Sequence, residues 1–313
     1  MIVIKENESL KKHCTFFIGG PAKYFCVAKN QSEVLEAITW AINRGLDYKV
    51  IGGGSNLLIS DKGYQGLIIK YFSTDFKIEN EIIEAEAGVP LALLINKALK
   101  KGLAGLEWAV GIPGTIGGAV CNNSGAYGGE IAQSFVEAEV FQDGVITILK
   151  NKDFNFNYRN SKIKEEKIKA VILTVKLALK KVKPEVITNL KEKMQNNLLD
   201  RLSKTPKGGS VGSIFRNFLM TTQEIENFKK KFPQLPEKFV NSQTLPAAWL
   251  IDECGLKGKK IGDAMVSEVH AGKIINQGKA TAEDVVILIS IIKQKVRSKF
   301  NLQLIEEVEY LGF

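Results

Sequence analysis

The segment GIPGTIGGAVCNNSGAYGGE, residues 111–130, has seven glycines in its first nineteen positions, and IGGGSNLL at residues 51–58 is a second glycine-rich string. Each string follows an apolar segment. Glycine allows the backbone to approach an anion closely, and successive N–H groups can then point at a diphosphate. One such string alone indicates no more than a tight turn. Two of them in the N-terminal half favour a site for a nucleotide cofactor.

The common nucleotide-binding and hydrolase motifs do not fit. No GxxxxGK string followed by Ser or Thr is present, and GxGxxG fails because Leu57 stands where its third glycine would be. A flavin-binding architecture of another kind is therefore favoured over a kinase, an ATPase or a classical dehydrogenase. Residues 208–212 match GxSxG, and Asp263 and His270 follow in the order of an α/β-hydrolase triad. The polar loop at residues 204–207 replaces the buried strand that a nucleophile elbow needs, so a hydrolase is disfavoured.

Composition limits the remaining classes of protein. The chain has 313 residues and a net charge of +9, and residues 161–193 contribute +6 of that charge, from ten Lys against four Glu. These lysines alternate with Ile, Val and Leu rather than with aromatic residues, which favours solvated strand and helix faces over nucleic-acid binding. An anionic small molecule such as a diphosphate remains compatible with the charge. Two histidines and four cysteines without a CxxC pair argue against a metal site or a disulfide framework.

No apolar run approaches the ~20 residues of a membrane span, and the N-terminus resembles no secretory signal. We therefore expect a cytoplasmic protein. Local patterns predict helices at 31–44, 90–101, 184–202, 246–254 and 281–299, the first with a capping box of Asn30 and Glu33 and the last capped by Thr281 with Asp284. Strands are predicted at 24–28, 48–51, 67–71, 82–85, 135–141, 145–149, 170–179 and 302–311, the last returning to an earlier sheet.

Further strings occur in a distinctive order along the chain. They are Thr15 with GGPA at 19–22, YRNS at 158–161, GSIFRN at 212–217, PAAWLIDECGLKGKKIG at 246–262, VSEVHAGKIIN at 266–276 and EEVEYLG at 306–312. Together with the two glycine-rich strings, they resemble the UDP-N-acetylenolpyruvoylglucosamine reductases, the MurB family. The short span between Tyr158 and Pro184 resembles the compact type II form, which lacks the additional substrate loop of the longer form.

The resemblance implies an α+β fold: a vanillyl-alcohol-oxidase/PCMH-like FAD-binding unit of two subdomains plus a separate α+β substrate-binding domain. We assign residues 1–72 and 73–183 to the two FAD-binding subdomains, 184–301 to the substrate-binding domain and 302–313 to the returning C-terminal strand. It further implies non-covalent FAD, NADPH as co-substrate, and reduction of UDP-N-acetylglucosamine enolpyruvate to UDP-N-acetylmuramate in peptidoglycan precursor synthesis. The expected partner is this UDP-sugar, with no nucleic acid, no metal, and a monomer favoured over a homo-oligomer.

The family's site residues transfer to matching positions. The implied catalytic residues are Arg159, Ser213 and Glu307, although from the sequence alone Arg159 could be a surface residue or a carboxylate clamp, and Glu307 an ordinary strand carboxylate. The implied substrate-binding residues are Asn217, Arg216 and Tyr158. The implied cofactor-binding residues are Gly52, Gly53, Gly54, Ser55, Asn56, Gly114, Thr115, Gly117, Gly118, Asn123, Gly125 and Ala126.

Three positions depart from the family pattern. Ser124 stands where Ala is usual, Lys273 where an apolar residue often follows the HA pair, and Glu309 where Arg is usual. None is a catalytic position. Surface drift is a simpler explanation for Lys273 and Glu309 than altered specificity. Two rival functions remain open: a flavoprotein oxidase of the same cofactor fold, and a nucleotide-binding or nucleic-acid-binding module without catalysis.

Overall fold

The computed structural model describes residues 2–165 and 169–313. The strands in chain order are β1 (Lys5–Ser9), β2 (Pro21–Ala28), β3 (Tyr48–Ile51), β4 (Leu57–Ile59), β5 (Tyr64–Tyr71), β6 (Phe76–Glu79), β7 (Ile82–Glu86), β8 (Leu103–Ala104), β9 (Gly125–Ala126), β10 (Gly129–Glu130), β11 (Phe135–Gln142), β12 (Val145–Lys150), β13 (Ala170–Ala178), β14 (Lys180–Lys181), β15 (Phe218–Leu219), β16 (Thr244–Leu245), β17 (Lys260–Ile261), β18 (Ala264–Val266), β19 (Ile274–Asn276) and β20 (Glu309–Leu311). The α-helices are α1 (Gln31–Ile42), α2 (Leu91–Lys100), α3 (Ile116–Cys121), α4 (Asn151–Phe154), α5 (Lys162–Glu165), α6 (Pro184–Ser203), α7 (Thr222–Lys231), α8 (Glu237–Asn241), α9 (Ala247–Glu253) and α10 (Ala282–Phe300).

Local capping signals place the starts of α1 and α10 where the sequence predicts them. At α1, Asn30 Oδ1 accepts from Glu33 N at 2.9 Å, while the Glu33 carboxylate accepts from Lys29 N at 2.8 Å, one residue before the expected partner. At α10, Thr281 and Asp284 form the full reciprocal box, with bonds of 2.9 and 3.0 Å. These bonds satisfy amide groups that have no partner within a helix, so the capping residues determine where each helix begins.

The chain divides into two compact units by its internal contacts. The first comprises Met1–Ser9, Pro21–Ser55 and Tyr64–Ser203, and the second comprises Leu10–Gly20, Asn56–Gly63 and Lys204–Phe313. None of the helices among the described residues is both long and apolar enough to cross a membrane.

The two largest sheets of the first unit share one apolar core. Strands β1-β2-β5-β3 form one sheet, in which β2 and β3 both run parallel to the central β5. Strands β12-β11-β13-β7-β6 form an antiparallel sheet around β13. The central strands β5 and β13 are rich in Leu, Ile and Val, and most of these side chains are buried. Helices α1, α2 and α3 contribute their apolar faces to the same core, which fixes the loops at their ends.

The second unit is organised around α10. Its buried face, which includes Val285, Ile289 and Ile292, contributes to the core of this unit. The antiparallel strands β17-β18-β19 form a small sheet, and β20 pairs with β4 in parallel, with Glu309 opposite Leu57. The C-terminal strand thus pairs with an earlier part of the chain, where β20 and β4 form a sheet of two strands.

The C-terminal strand is shorter than the predicted range of residues 302–311. Only Glu309–Leu311 forms a regular strand. Immediately before it, Glu306 forms an isolated bridge with Phe215, and Arg216 N donates to Ile305 O at 2.9 Å. The extended segment thus exchanges one backbone partner for another within a few residues, which the local apolar pattern does not encode.

Candidate functional site

Two glycine-rich loops of the first unit lie in direct contact. A Cβ atom on Gly52 would lie 2.4 Å from Thr115 Oγ1, and one on Gly53 would lie 2.9 Å from Gly114 Cα. Carbon atoms in contact are normally about 3.5 to 4.0 Å apart. Side chains at these two positions would therefore force the loops apart.

Hydrogen bonds fix both loops in this arrangement. Ser55 Oγ donates to Pro113 O at 3.2 Å, which links the first loop to the second. The second loop is attached to the first residue of α2, because Leu91 N donates to Gly114 O at 3.0 Å. Gly54 and Gly114 have φ values of +63° and +114°, which favour glycine because it lacks a Cβ. The result is a narrow cradle with little side-chain bulk.

This cradle fits the diphosphate of a dinucleotide. Gly117 completes the close packing, since its Cβ would lie 2.6 Å from that of Ala87, whereas Gly118 has ordinary space at 3.7 Å from Thr115 Oγ1. Thr115 caps α3 by accepting from Gly118 N at 3.4 Å. The predicted cofactor residues from Gly52 to Ser55 and from Gly114 to Gly118 therefore lie at one place in the first unit.

Asn56 lies in the second unit, unlike the four preceding residues. Its Nδ2 donates to Glu307 O at 3.1 Å, and its carbonyl accepts from Glu309 N at 2.9 Å. Asn56 therefore fixes the backbone of the implied catalytic residue Glu307. The division of one sequence string between two units is a tertiary feature that the string itself does not reveal.

Arg159 lies in a tight turn of the first unit. Asn157 and Asn160 exchange two backbone hydrogen bonds of 3.1 and 3.0 Å, which leaves Tyr158 and Arg159 at the tip. Arg159 has a φ of +55°, a left-handed conformation that is unfavourable for a residue with a Cβ. Its guanidinium carbon lies 5.7 Å from the centre of the Tyr158 ring, within the range of a cation–π contact. The turn thus presents one cation and one aromatic ring together.

The segment from Asn123 to Glu130 lies beside this turn. Asn123 is only 1% exposed, and its Nδ2 donates to Asn157 O at 3.0 Å and to Glu130 Oε2 at 3.1 Å. Gly125 and Ala126 form β9, which pairs with β10, and a Cβ on Gly125 would lie 2.8 Å from Gly129 O. The side chain of Asn123 is therefore engaged within the protein.

In the second unit, Ser213 and Glu307 lie on neighbouring backbone segments. Ser213 is bridged to Lys273, and the next residue, Ile214, donates to Gly272 O at 2.9 Å and accepts from Glu307 N at 2.7 Å. The segment around Ile214 is thus held on both sides. Ser213 is exposed and Glu307 is half-buried, so both side chains can meet a ligand.

The neighbouring carboxylate of Glu306 takes part in an ion pair and a hydrogen bond within the protein. Its Oε1 lies 2.7 Å from Lys293 Nζ. Burial, together with a hydrogen bond to the Glu306 carboxylate, raises the pKa of the Tyr310 phenol. Because adjacent residues of an extended segment point to opposite sides, Glu307 projects away from this ion pair. The structure therefore distinguishes two glutamates that are equivalent in the sequence.

Arg216 and Asn217 follow on the same segment as Ser213. Arg216 N is bound to Ile305 O, but among the residues that the structure describes its buried Nε has no hydrogen-bond partner. A buried guanidinium nitrogen without a partner is costly unless a ligand satisfies it. Asn217 Oδ1 accepts from Ala247 N at 3.1 Å at the start of α9. Any contact of Asn217 with a ligand would therefore use its amide nitrogen.

The basic residue Lys273 lies across the backbone bridge from Ser213. Its Nζ donates to Lys204 O at 2.9 Å, which ties it to the loop after α6. Burial, followed by the charge of Lys273, lowers the pKa of His270 below its usual value. Lys273, one of the three departures from the family pattern, thus faces the implied catalytic residue Ser213 across a backbone bridge.

The hydrolase motif at residues 208–212 does not form a nucleophile elbow. Gly209 forms a backbone bridge with Asn276, and Ser210 N donates to Thr15 O at 3.0 Å. Asp263 Oδ2 accepts from Lys279 N at 3.0 Å rather than from an imidazole. The segment lacks the strand, sharp turn and helix that the elbow requires.

Sequence reasoning missed two residues that support the Arg159 turn. Ser161 is fully buried, and its Oγ donates to Cys121 O at 2.6 Å. Glu130 accepts from Asn123, as described above. Both stand at the ends of family strings, YRNS and GGE, but neither residue type indicates a partner so far away in sequence.

Comparison with known protein families gives two matches that together extend over most of the chain. Residues 203–311 match the C-terminal domain of UDP-N-acetylenolpyruvoylglucosamine reductase. Residues 22–147 match an FAD binding domain. The second match contains both glycine-rich loops, and it supports the cofactor that the cradle fits.

Individual proteins resemble the chain over nearly its full length. A UDP-N-acetylenolpyruvoylglucosamine reductase from Caldicellulosiruptor bescii is 40% identical over 309 residues, covering 98% of this chain and 90% of the relative. One from Clostridium botulinum (strain Okra) is 36% identical over 308 residues, covering 98% and 92%. The crystal structure of the reductase from Thermus caldophilus has a TM-score of 0.75 at 29% identity and covers 100% of this chain and 99% of that one. The predicted α+β, FAD-binding fold class is confirmed.

Proposed function

The chain belongs to the UDP-N-acetylenolpyruvoylglucosamine reductase family, and from that membership we propose how its own residues carry out the family's reaction. The reaction is the reduction of UDP-N-acetylglucosamine enolpyruvate to UDP-N-acetylmuramate, with FAD as cofactor and NADPH as hydride donor, in peptidoglycan precursor synthesis. The observation that carries the assignment of residues is the backbone arrangement that holds Ser213 next to Glu307.

The cradle in the first unit holds the cofactor. Backbone amides of residues 52–55, 114 and 115 bind the diphosphate, because the glycines of both loops let the ligand approach closely. The amides of Ile116, Gly117 and Gly118 already donate within the protein. When bound there, FAD would supply the hydride-transfer chemistry between NADPH and the enolpyruvyl double bond. Gly125 and Ala126 complete the proposed cofactor contacts near the Arg159 turn.

Arg159 binds the carboxylate of the substrate. Hydride addition to the terminal carbon places negative charge on the adjacent carbon and on this carboxylate. A guanidinium already held in place stabilises that charge where it develops, and a preorganised donor of this kind is worth about 3 to 4 kcal/mol. The neighbouring Tyr158 ring lies within cation–π range of the guanidinium, and we propose that it also contacts the substrate.

Ser213 donates the proton that completes the reduction. A serine hydroxyl is a weak acid, but the carbanionic carbon is a strong base, so a well-placed hydroxyl is sufficient. Glu307, in its protonated form, donates a hydrogen bond to the enolate oxygen. Both residues are held by the backbone bonds of Ile214, which fixes their spacing before substrate arrives.

Arg216 and Asn217 bind the UDP part of the substrate. The buried Nε of Arg216 can be satisfied by a phosphate oxygen, and guanidinium groups suit phosphate because of their fork of N–H donors. The amide nitrogen of Asn217 supplies a second donor. We further propose a cytoplasmic monomer that binds no nucleic acid, with domain limits at residues 72, 183 and 301.

A visible absorption spectrum tests the whole assignment. Flavin bands that bleach with anaerobic NADPH and return on addition of the enolpyruvyl substrate are the expected result. Bands that return only with oxygen would indicate a flavoprotein oxidase. A colourless protein that takes up no added FAD, with nucleotide affinity that falls steeply with salt, would indicate the binding module instead.

The role of Ser213 is tested with a matched serine. Ser213→Ala should be bleached by NADPH at the parental rate but should turn over the enolpyruvyl substrate far more slowly. Ser210→Ala, three residues earlier on the same segment, should keep parental turnover because only the backbone of Ser210 is bound to Thr15. Parental turnover in Ser213→Ala would exclude this serine as the proton donor.

A further inference from the structure

The Arg159 turn is held at both ends by one short segment. Before the turn, Asn157 O accepts from Asn123 Nδ2 at 3.0 Å. After it, Ser161 Oγ donates to Cys121 O at 2.6 Å. Cys121 is the last residue of α3, the helix that begins at the glycine-rich cradle. The backbone of the turn is therefore attached to the same element that forms the cofactor site.

The polar atoms of the Asn123 side chain are all engaged within the protein. Nδ2 donates to Glu130 and to Asn157, and Oδ1 accepts from Ala132 N at 3.1 Å. The residue is 1% exposed and has a φ of +40°. Because an amide group has two N–H donors, both are now used. An Asn in this state is built to hold protein segments together rather than to bind a ligand directly.

The turn requires such support. Arg159 occupies the left-handed region with a φ of +55°, which costs free energy for any residue with a Cβ. Conformations of this kind persist only where the surroundings determine them. The reciprocal bonds between Asn157 and Asn160 close the turn but do not fix its position relative to the cradle. The bonds from Asn123 and Ser161 fix the position of the turn relative to the cradle.

We propose that Asn123 is a positioning residue, which, together with Ser161, places the guanidinium of Arg159 against the carboxylate of the substrate. This inference rests on the proposed role of Arg159. The family resemblance implies that Asn123 contacts the cofactor. In our proposal Asn123 instead acts indirectly, through Arg159. A displacement of about 1 Å in a binding group can cost on the order of 100-fold in rate, so a support of this kind is catalytically important.

Asn123→Ala is the principal variant. We expect kcat/KM for the enolpyruvyl substrate to fall about 10-fold to 100-fold, while the rate of flavin bleaching by NADPH and the FAD content remain parental. Asn151→Ala is the matched control, because Asn151 also uses its side-chain nitrogen to bind two backbone carbonyls, of Ala132 and Phe135, but it does not contact the turn. Asn151→Ala should keep the parental kcat/KM for the enolpyruvyl substrate and the parental rate of flavin bleaching by NADPH.

A double-mutant cycle separates positioning from general loss of structure. If Asn123 acts through Arg159, adding Asn123→Ala to an Arg159→Ala protein should change kcat/KM less than about twofold further. Independent effects would multiply instead, and that result would overturn the inference. Ser161→Ala removes the second attachment and should show the same dependence on Arg159, which preserves the test if Asn123→Ala does not fold.

Other outcomes distinguish this inference from the function on which it rests. Parental turnover in Arg159→Ala would refute the catalytic role of Arg159 and the positioning role with it. Impaired Arg159→Ala with parental Asn123→Ala and Ser161→Ala would refute positioning alone. Weakened FAD binding in Asn123→Ala, with normal turnover once FAD is saturating, would identify Asn123 as a cofactor-binding residue. That result would also refute the positioning role.

Discussion

Gly53→Ala should weaken FAD binding by forcing the two glycine-rich loops apart. The added Cβ would lie 2.9 Å from Gly114 Cα, against about 3.5 to 4.0 Å for a normal carbon contact, so the backbones must separate by roughly 0.6 to 1.1 Å. The opposing atom is backbone, which cannot rotate away as a side chain could. Gly53 does not have a positive φ, so steric overlap alone determines the effect.

The magnitude follows from the cost of overpacking. Extra methyl groups in a packed site cost about 1 to 3 kcal/mol. If this cost falls on the conformation that binds FAD, the dissociation constant should increase about 5-fold to 150-fold. Serial dilution of the holoenzyme, with recovery of flavin fluorescence as the signal, measures the dissociation constant directly.

A second glycine provides the control. Gly45, in the turn after α1, has a φ of +63°, but a Cβ added there would meet no atom within 4 Å. Gly45→Ala should therefore lower the melting temperature through backbone strain while leaving the FAD dissociation constant unchanged. A folded Gly53→Ala protein that binds FAD within about twofold of the parent would refute the cradle as the diphosphate site, as would an equal loss in Gly45→Ala.

Three further predictions follow from caps, burial and the paired glutamates. Burial lowers the pKa of His270, so the unfolded chain takes up a proton more readily, and the free energy of unfolding should fall as the pH drops from about 7 to 5. Chemical denaturation at several pH values should show that His270→Gln reduces this dependence of the unfolding free energy on pH. An unchanged dependence would contradict the assignment. Thr281→Ala removes the bond to Asp284 N and should cost about 0.5 to 2 kcal/mol in thermal unfolding, whereas no measurable change would show that the cap is redundant. Glu307→Ala should lower kcat about 100-fold to 1,000-fold while the rate of flavin bleaching by NADPH stays unchanged, and Glu306→Ala should retain kcat. If Glu306→Ala loses kcat and Glu307→Ala keeps it, the roles of the two residues are exchanged.

Elements with local signals were predicted well from the sequence. Helices α2, α6 and α10 and strands β3, β11 and β12 lie within one or two residues of their expected limits, because the apolar period and the flanking Gly, Pro and capping residues are all encoded nearby. Strand β5 begins at Tyr64 rather than Leu67, since pairing with β2 extends it into a polar stretch. The C-terminal strand was predicted too long, because its partners change along its length.

For the site, the sequence predicted the family correctly but left the roles of individual residues untested. Identification of the family rests on strings such as YRNS and GSIFRN, whose order in the chain is distinctive, and the family assignment is confirmed. The individual roles of Arg159, Ser213 and Glu307 stay predictions. Sequence spacing also had no means of distinguishing Glu306 from Glu307, because the contacts that separate their environments, such as the ion pair of Glu306 with Lys293, are tertiary.

By itself, the amino-acid sequence determined the fold class, the family, the flavin cofactor and the limits of α2, α6 and α10, because each depends on residue types within a short window or on the order of such windows. The tertiary structure alone decided that Gly53 meets Gly114 and that Asn56 supports Glu307. It likewise decided that Asn123 holds the Arg159 turn by a bond to a carbonyl 34 residues away. Backbone carbonyls and amides are identical at every position, so no residue pattern can indicate which of them a distant side chain will reach.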